Sequence, residues 1–135
     1  MALSLLQALL DDLPLQCAPL QGSVIATAEG LVLAASGVLA TDSAAATAAY
    51  VMGLAEQHLG LLQPLQCREQ LIWADNALWC IQRLAQGHVL MSVAQADCAP
   101  GLLRLVCQCV DAGLREHLAQ LQREAAALAP AATSP

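Results

Sequence analysis

The apolar residues change their spacing along the chain, and each spacing predicts a different element. Leucines recur every three or four positions over residues 2–13, which is typical of an amphipathic helix, and Pro14 is expected to end it. Two short apolar runs follow over residues 23–28 and 31–36, and the Glu-Gly pair at 29–30 suits a tight turn because glycine tolerates a positive φ. The chain is therefore predicted to begin with a helix and a β-hairpin.

A second helix is predicted to end near residue 59. Thr41 and Asp42 supply side chains that cap helix starts, and Gly60 is placed to end the helix. Residues 43–55 carry no charge, and small residues lie on every side of this helix. A helix that is apolar all round is generally buried all round, so we expect one face to contact a second copy or a partner. The alternative is that alanine, a good helix former, is simply tolerated at the surface.

Beyond Pro64 polar and apolar residues alternate with a period of two, which predicts strands. The predicted strands, separated by short turns, are 65–72, 77–84 and 88–94. A last helix with an apolar stripe begins near Asp97 and Pro100, and residues 129–135 are predicted to form a disordered tail. The order α-β-β-α-β-β-β-α indicates a single α+β domain over residues 1–128.

The composition argues against several functions. The chain of 135 residues has a formal net charge of −6, and its 5 basic residues are all arginine. A phosphate-binding P-loop and Schiff-base chemistry both need lysine. Proteins that bind nucleic acids or anionic membrane surfaces normally carry clusters of basic residues, which this chain lacks. No nucleic-acid or membrane partner is therefore expected. A membrane span needs about 20 mostly apolar residues. The charge-free stretches of this chain are either shorter than that or contain proline and glycine, so no span is predicted. With no basic segment typical of a signal peptide at the start, we expect a cytoplasmic protein.

The 6 cysteines are expected to be reduced thiols in that compartment. Cys107 and Cys109 lie on different sides of the last helix, and there is no C-x-x-C or H-x-x-x-H pair, so we expect no metal site and no cofactor. Cys98 lies near the start of that helix, where the helix dipole favours a thiolate. It is either a reactive cysteine or a structural thiol, and the chain offers no other catalytic candidate.

The ordered set of segments resembles the Roadblock / dynein light chain (LC7-type) family over about residues 4–121. The matching segments are Gly22-Ser-Val-Ile-Ala-Thr-Ala-Glu-Gly-Leu-Val-Leu-Ala, the helix that starts Asp42-Ser-Ala-Ala-Ala, and Gly87-His-Val-Leu-Met-Ser-Val-Ala leading into Pro100-Gly101-Leu102. The resemblance implies a five-stranded antiparallel sheet, with the second helix on one face and the terminal helices on the other. It also implies a dimer in which the second helix and third strand of each subunit meet.

The family further implies a function. Its members bind small Ras-like GTPases or serve as subunits of motors and scaffolds, so we expect a non-enzymatic homodimeric adaptor that binds a small Ras-like GTPase. One alternative is a structural scaffold subunit with no GTPase involved, and another is a thiol enzyme centred on Cys98.

The resemblance assigns residues to two surfaces. The dimer interface is expected to contain Ala46, Ala49, Tyr50, Gly53, Leu65, Cys67, Arg68, Gln70 and Ile72. The partner-binding surface is expected to contain Ala45, Ala48, Met52 and Glu56. Arg68 has three interpretations: an ion pair with a carboxylate across the dimer, an arginine finger into a GTPase, or a charge that keeps an edge strand soluble. The three aromatic residues are expected to anchor the core or an interface, and they are Tyr50, Trp73 and Trp79.

Overall fold

The computed structural model describes residues 2–128, with side chains from residue 5 onward. Helices α1, α2 and α3 span Ala2–Gln16, Asp42–Gly60 and Pro100–Leu128. Strands β1 to β5 span Leu20–Ala26, Val32–Gly37, Glu69–Trp73, Ala77–Arg83 and Val89–Gln95, and a short 3₁₀ turn spans Ala85–Gly87. The predicted tail at 129–135 lies outside the described residues. Within the part of the chain that is described, no helix is long and apolar enough to cross a membrane.

Five antiparallel strands form one sheet in the order β2-β1-β5-β4-β3. Helices α1 and α3 cover one face with a leucine-rich core that includes Leu10 and Leu103. Helix α2 covers the other face with a smaller core that includes Ala48 and Met52. The predicted α+β class, the order of elements and the placement of the helices on the two faces are confirmed.

The turn between β1 and β2 lies where the sequence predicts it. Gly30 has φ +92° and donates its N–H to the Thr27 carbonyl at 3.0 Å, while the Leu31 N–H bonds to Thr27 Oγ1 at 3.1 Å. Any side chain at position 30 is strained at this positive φ. A Cβ there would also lie 3.2 Å from Ala46 Cα, so glycine lets the hairpin turn approach α2 closely.

Helix α1 differs from the prediction because it continues past Pro14 to Gln16. The next turn still closes, since the Cys17 N–H donates to the Leu13 carbonyl at 2.9 Å. Gln16 also donates its side-chain amide to Asp12 at 2.7 Å. A proline removes one backbone hydrogen-bond donor. Near the end of a helix, the loss of that one donor does not prevent the last turn from forming.

The strands are also shifted from their predicted bounds. Strand β1 begins earlier, at Leu20, and β3 begins later, at Glu69 rather than at residue 65. The alternating residues 65–68 lie in the connection from α2, outside the assigned strand. The connection between β4 and β5 contains Gln86 at φ 61°, a left-handed conformation that breaks the strand pairing there.

Candidate interaction surface

The inner side of α2 belongs to the core. Ala45, Ala48 and Met52 face the sheet, and Ala48 and Met52 have 0% exposed surface. Side chains that are fully covered within the chain have no surface to offer a partner. This corrects the expected partner-binding surface for all three residues, which pack α2 against the sheet instead.

The two flanks of α2 meet different neighbours. Ala46 and Ala49 lie beside the β1–β2 turn, where a Cβ on Gly30 would come within 3.8 Å of the Ala49 Cβ. Thr47 and Val51 lie on the flank that faces the outer strands. The small residues expected at the dimer interface are therefore divided, because Ala46 and Ala49 lie on the flank away from β3.

A cleft of about 250 Å³ opens between α2 and the outer strands of the sheet. It is lined by Thr47, Val51, Ile72, Ala74, Trp79, Ile81 and Met91. Gln70 donates its side-chain amide at 3.2 Å to the carbonyl of Val51, one of these lining residues. Because the lining is almost entirely apolar, covering this cleft removes hydrophobic surface from water.

Strand β3 lies at one edge of the sheet, and three of its five residues direct their peptide groups away from β4. Backbone bonds of 2.9 Å beyond both ends of β3 join even-numbered residues to the β4 side. The alternation of an antiparallel ladder then directs the N–H and C=O groups of Glu69, Leu71 and Trp73 outward. Among the residues that the structure describes, one weak contact reaches them, from Cys67 Sγ to the Glu69 carbonyl at 3.7 Å. The edge is therefore open to pairing with another strand.

The opposite edge, β2, is partly covered by α1. Gln7 donates its Nε2 to the Ala35 carbonyl at 2.6 Å, and its Oε1 accepts the Ala35 N–H at 3.1 Å. The side-chain amide thus occupies the place that a neighbouring strand would take. Of the two edges, β3 offers the longer run of free peptide groups.

A half-buried ion pair fixes the segment that leads into β3. Arg83 Nη2 donates to Glu56 Oε1 at 2.7 Å, and Glu56 Oε2 accepts the Cys67 N–H at 2.8 Å. Arg83 Nε also donates to the Cys67 carbonyl at 3.3 Å. The Glu56 carboxylate, expected to bind a partner, is engaged in joining α2 to β4. Sequence reasoning missed Arg83 because its partner lies 27 positions away and no local pattern connects them.

The residues of the expected interface that lie outside α2 belong to β3 or to the segment that leads into it. Leu65, Arg68 and Ile72 are exposed, with Ile72 43% accessible. Trp73 is 64% accessible and belongs to the same edge, although only a general anchor role was predicted for it. The structure thus gathers the strand residues of the expected interface beside the apolar cleft.

The cysteine that the sequence singles out is buried in the structure. Cys98 is 5% exposed, and burial raises the pKa of its thiol, with Cys17 and Asp97 raising it further. This direction is opposite to the one expected from the helix dipole, and reactive cysteines need the thiolate. Cys80 is buried beside Cys107, whose hydrogen-bond contact raises the pKa of Cys80, as does burial. Within residues 2–128, no three potential metal ligands come together.

Comparison with known proteins gives a consistent result for the fold. No family model and no curated protein matches the chain. Among solved structures, MglB of Myxococcus xanthus aligns with a TM-score of 0.77 and 16% identity over 88% of this chain and 91% of its own. A Roadblock/LC7 domain from Streptomyces avermitilis aligns with a TM-score of 0.74 and 19% identity over 83% and 96%. The gliding protein MglB from Thermus thermophilus has a TM-score of 0.73 and 14% identity over 87% and 90%. The chain has the fold of Roadblock/LC7 domains, the family that its sequence resembles.

Proposed function

We propose that the chain is a cytoplasmic, non-enzymatic homodimer that binds a small Ras-like GTPase and modulates its activity or location. The Roadblock/LC7 fold and the family resemblance of the sequence support this proposal. The observation that carries it is that the free edge of β3, the apolar cleft and the uncharged flank of α2 lie side by side.

A second copy of the chain meets the requirements of this surface. A two-fold axis places the β3 edge of one copy beside the β3 edge of the other. Each strand then supplies hydrogen-bond donors and acceptors for the free peptide groups of its neighbour. The same axis brings together the flanks of α2 that carry Thr47 and Val51, and it covers the exposed Ile72. Because this part of α2 carries no charge, the two helices approach without burying an unpaired ion.

The GTPase is proposed to bind the outward side of the paired α2 helices. Gly53 and Gln57 are exposed there and contribute to neither core. The chain supplies no nucleotide-binding loop, so the bound GTPase contributes its own nucleotide and magnesium chemistry. The adaptor then acts by holding or reshaping the switch region of its partner.

Two measurements test the proposal with the full chain. Light scattering at micromolar concentration is expected to give twice the monomer mass of 14.0 kDa. Affinity capture from native cell extract, with a non-hydrolysable GTP analogue or with GDP, is expected to retain a Ras-like GTPase in a nucleotide-dependent way. A strict monomer overturns the dimer. A dimer that retains no GTPase under either condition overturns the GTPase assignment and favours the scaffold alternative.

A further inference from the structure

Two cysteines from distant parts of the chain meet where β1 begins and β5 ends. The Gln95 N–H donates to the Pro19 carbonyl at 2.9 Å and so joins the two segments. Before β1, the chain closes a turn in which the Cys17 carbonyl accepts the Leu20 N–H at 3.1 Å. After β5, it closes another in which the Cys98 N–H donates to the Gln95 carbonyl at 2.9 Å. These two turns bring Cys17 and Cys98 to the same corner of the sheet.

The two thiols are neighbours just below the surface at this corner. Both belong to the core beneath α1 and α3. Burial raises the pKa of the Cys98 thiol, and the adjacent Cys17 thiol raises it further, in part through a side-chain hydrogen bond. Cys17 is 1% exposed and Cys98 5%, yet the residues on either side of each cysteine, at positions 16, 18, 97 and 99, are exposed. Small movements of these turns therefore open the pair to solvent.

A second pair of thiols has a different setting. Cys80 and Cys107 also share a side-chain hydrogen bond, and both are 0% exposed. Cys80 lies inside β4 and Cys107 inside α3, where backbone hydrogen bonds fix both positions, whereas Cys17 and Cys98 lie in connections between elements. A disulfide brings two sulfurs from contact to about 2.05 Å and needs a matching backbone geometry. Connections adjust to this more readily than the interior of a strand or helix.

We propose that Cys17 and Cys98 form an oxidation site at which a peroxide converts two thiols to an intrachain disulfide. Cys98 is the less buried and reacts first. Its sulfur attacks the peroxide, so that an S–O bond forms, the O–O bond breaks, and the departing hydroxide takes up the thiol proton as water. The Cys17 sulfur then attacks the resulting sulfenic acid, so that the S–S bond forms, the S–O bond breaks and a second water leaves. The thiols lose two electrons in total, and hydrogen peroxide is reduced to two waters.

This site differs from a catalytic cysteine in its rate and in its product. The raised pKa of Cys98 leaves little thiolate, so the first step is expected to be slow. The second step is expected to be fast, because the resolving thiol is already in place. The disulfide encloses all five strands and α2 between its two ends. Closing so long a loop restricts the unfolded chain, and the melting temperature is expected to rise by roughly 10 °C.

Peptide mapping of the full-length protein tests the site. The reduced protein is treated with millimolar hydrogen peroxide, its remaining thiols are blocked, and it is digested with trypsin without reduction. Cleavage after arginine places Cys17 in fragment 1–68, Cys98 in 84–104, Cys80 in 69–83 and Cys107 in 105–115. We expect fragment 1–68 to be linked to fragment 84–104. Fragments 69–83 and 105–115, which report on the core pair, are expected to stay unlinked.

Two matched variants identify the bonded cysteine in fragment 1–68, which also contains Cys67. Cys17→Ala is expected to abolish both the link and the rise in melting temperature, and Cys67→Ala to retain both. If Cys17→Ala fails to fold, fragmentation of the linked wild-type peptide in the mass spectrometer identifies the bonded residue instead. A Cys98 that stays reduced, or that is oxidised to a sulfinic acid without a link, overturns the proposal. So does a link to Cys67, or a link that joins two chains on a non-reducing gel.

Discussion

Helix α2 carries two exposed neighbouring residues on opposite flanks, and this makes a sharp test of which flank forms the dimer. Thr47 lines the cleft beside β3, whereas Ala46 lies beside the hairpin turn at Gly30. We expect Thr47→Glu to separate the dimer and Ala46→Glu to leave it intact. Both substitutions add the same charge to the same turn of the helix, so each controls for the other.

The loss of dimer affinity expected for Thr47→Glu follows from the burial of the cleft when the dimer forms. A carboxylate left without a cation at such an interface costs about 2–3 kcal/mol, less than the penalty for full burial because Thr47 lies at the surface of the cleft. Two copies contribute, so the dissociation constant is expected to rise by three to four orders of magnitude, about 4–6 kcal/mol. The fold itself is expected to tolerate the change, since the Thr47 hydroxyl bonds to the Ser43 carbonyl within the helix and so joins no other element.

Sedimentation velocity over a range of concentrations measures the dissociation constant, and circular dichroism verifies that both variants remain folded. A folded Thr47→Glu protein that stays dimeric at low micromolar concentration would refute the assignment of this flank. So would a dimer that Ala46→Glu separates and Thr47→Glu does not.

Three further predictions concern the fold and its thiols. Arg83→Met is expected to lower the free energy of unfolding by about 2–3 kcal/mol, because it removes the cation of a half-buried pair, and urea denaturation in a monomeric background measures the loss. Gly53→Ala is expected to raise that free energy by about 1 kcal/mol, since a Cβ there meets nothing within 4 Å, and the same titration reports a failure if stability falls. Iodoacetamide at neutral pH is expected to label the exposed Cys109 well before Cys98, because burial and a raised pKa leave Cys98 with little reactive thiolate. Mass spectrometry of the labelled protein measures the order, and modification of Cys98 first would contradict the prediction.

The order of elements could be predicted because each has a local signal. The turn at Gly30 follows from a residue that tolerates positive φ, and the last helix follows from the spacing of its apolar stripe. The start of β3 could not be predicted, because residues 65–68 keep the strand-like alternation. Their position depends on Glu56 and Arg83, which contact Cys67 from distant parts of the chain.

The main error in the site concerned which side of α2 is buried against the sheet, and its cause is the composition of the helix. Alanines lie on all sides, so neither hydrophobicity nor size distinguishes the buried Ala48 from the exposed Ala46. Only the packing against the sheet decides which of them is covered. The edge position of β3, in contrast, was available from the family resemblance and not from the residues, because strand order depends on long-range pairing.

Amide hydrogen exchange at Leu71 tests the central claim, the pairing of β3 with β3 of a second copy. Its N–H points away from the sheet and is free in a single chain, so we expect fast exchange in dilute solution and in the Thr47→Glu variant. At concentrations where the protein is dimeric, the same amide is expected to exchange much more slowly, together with those of Glu69 and Trp73. An amide of Leu71 that exchanges equally fast in the dimer and in the monomer would contradict the claim.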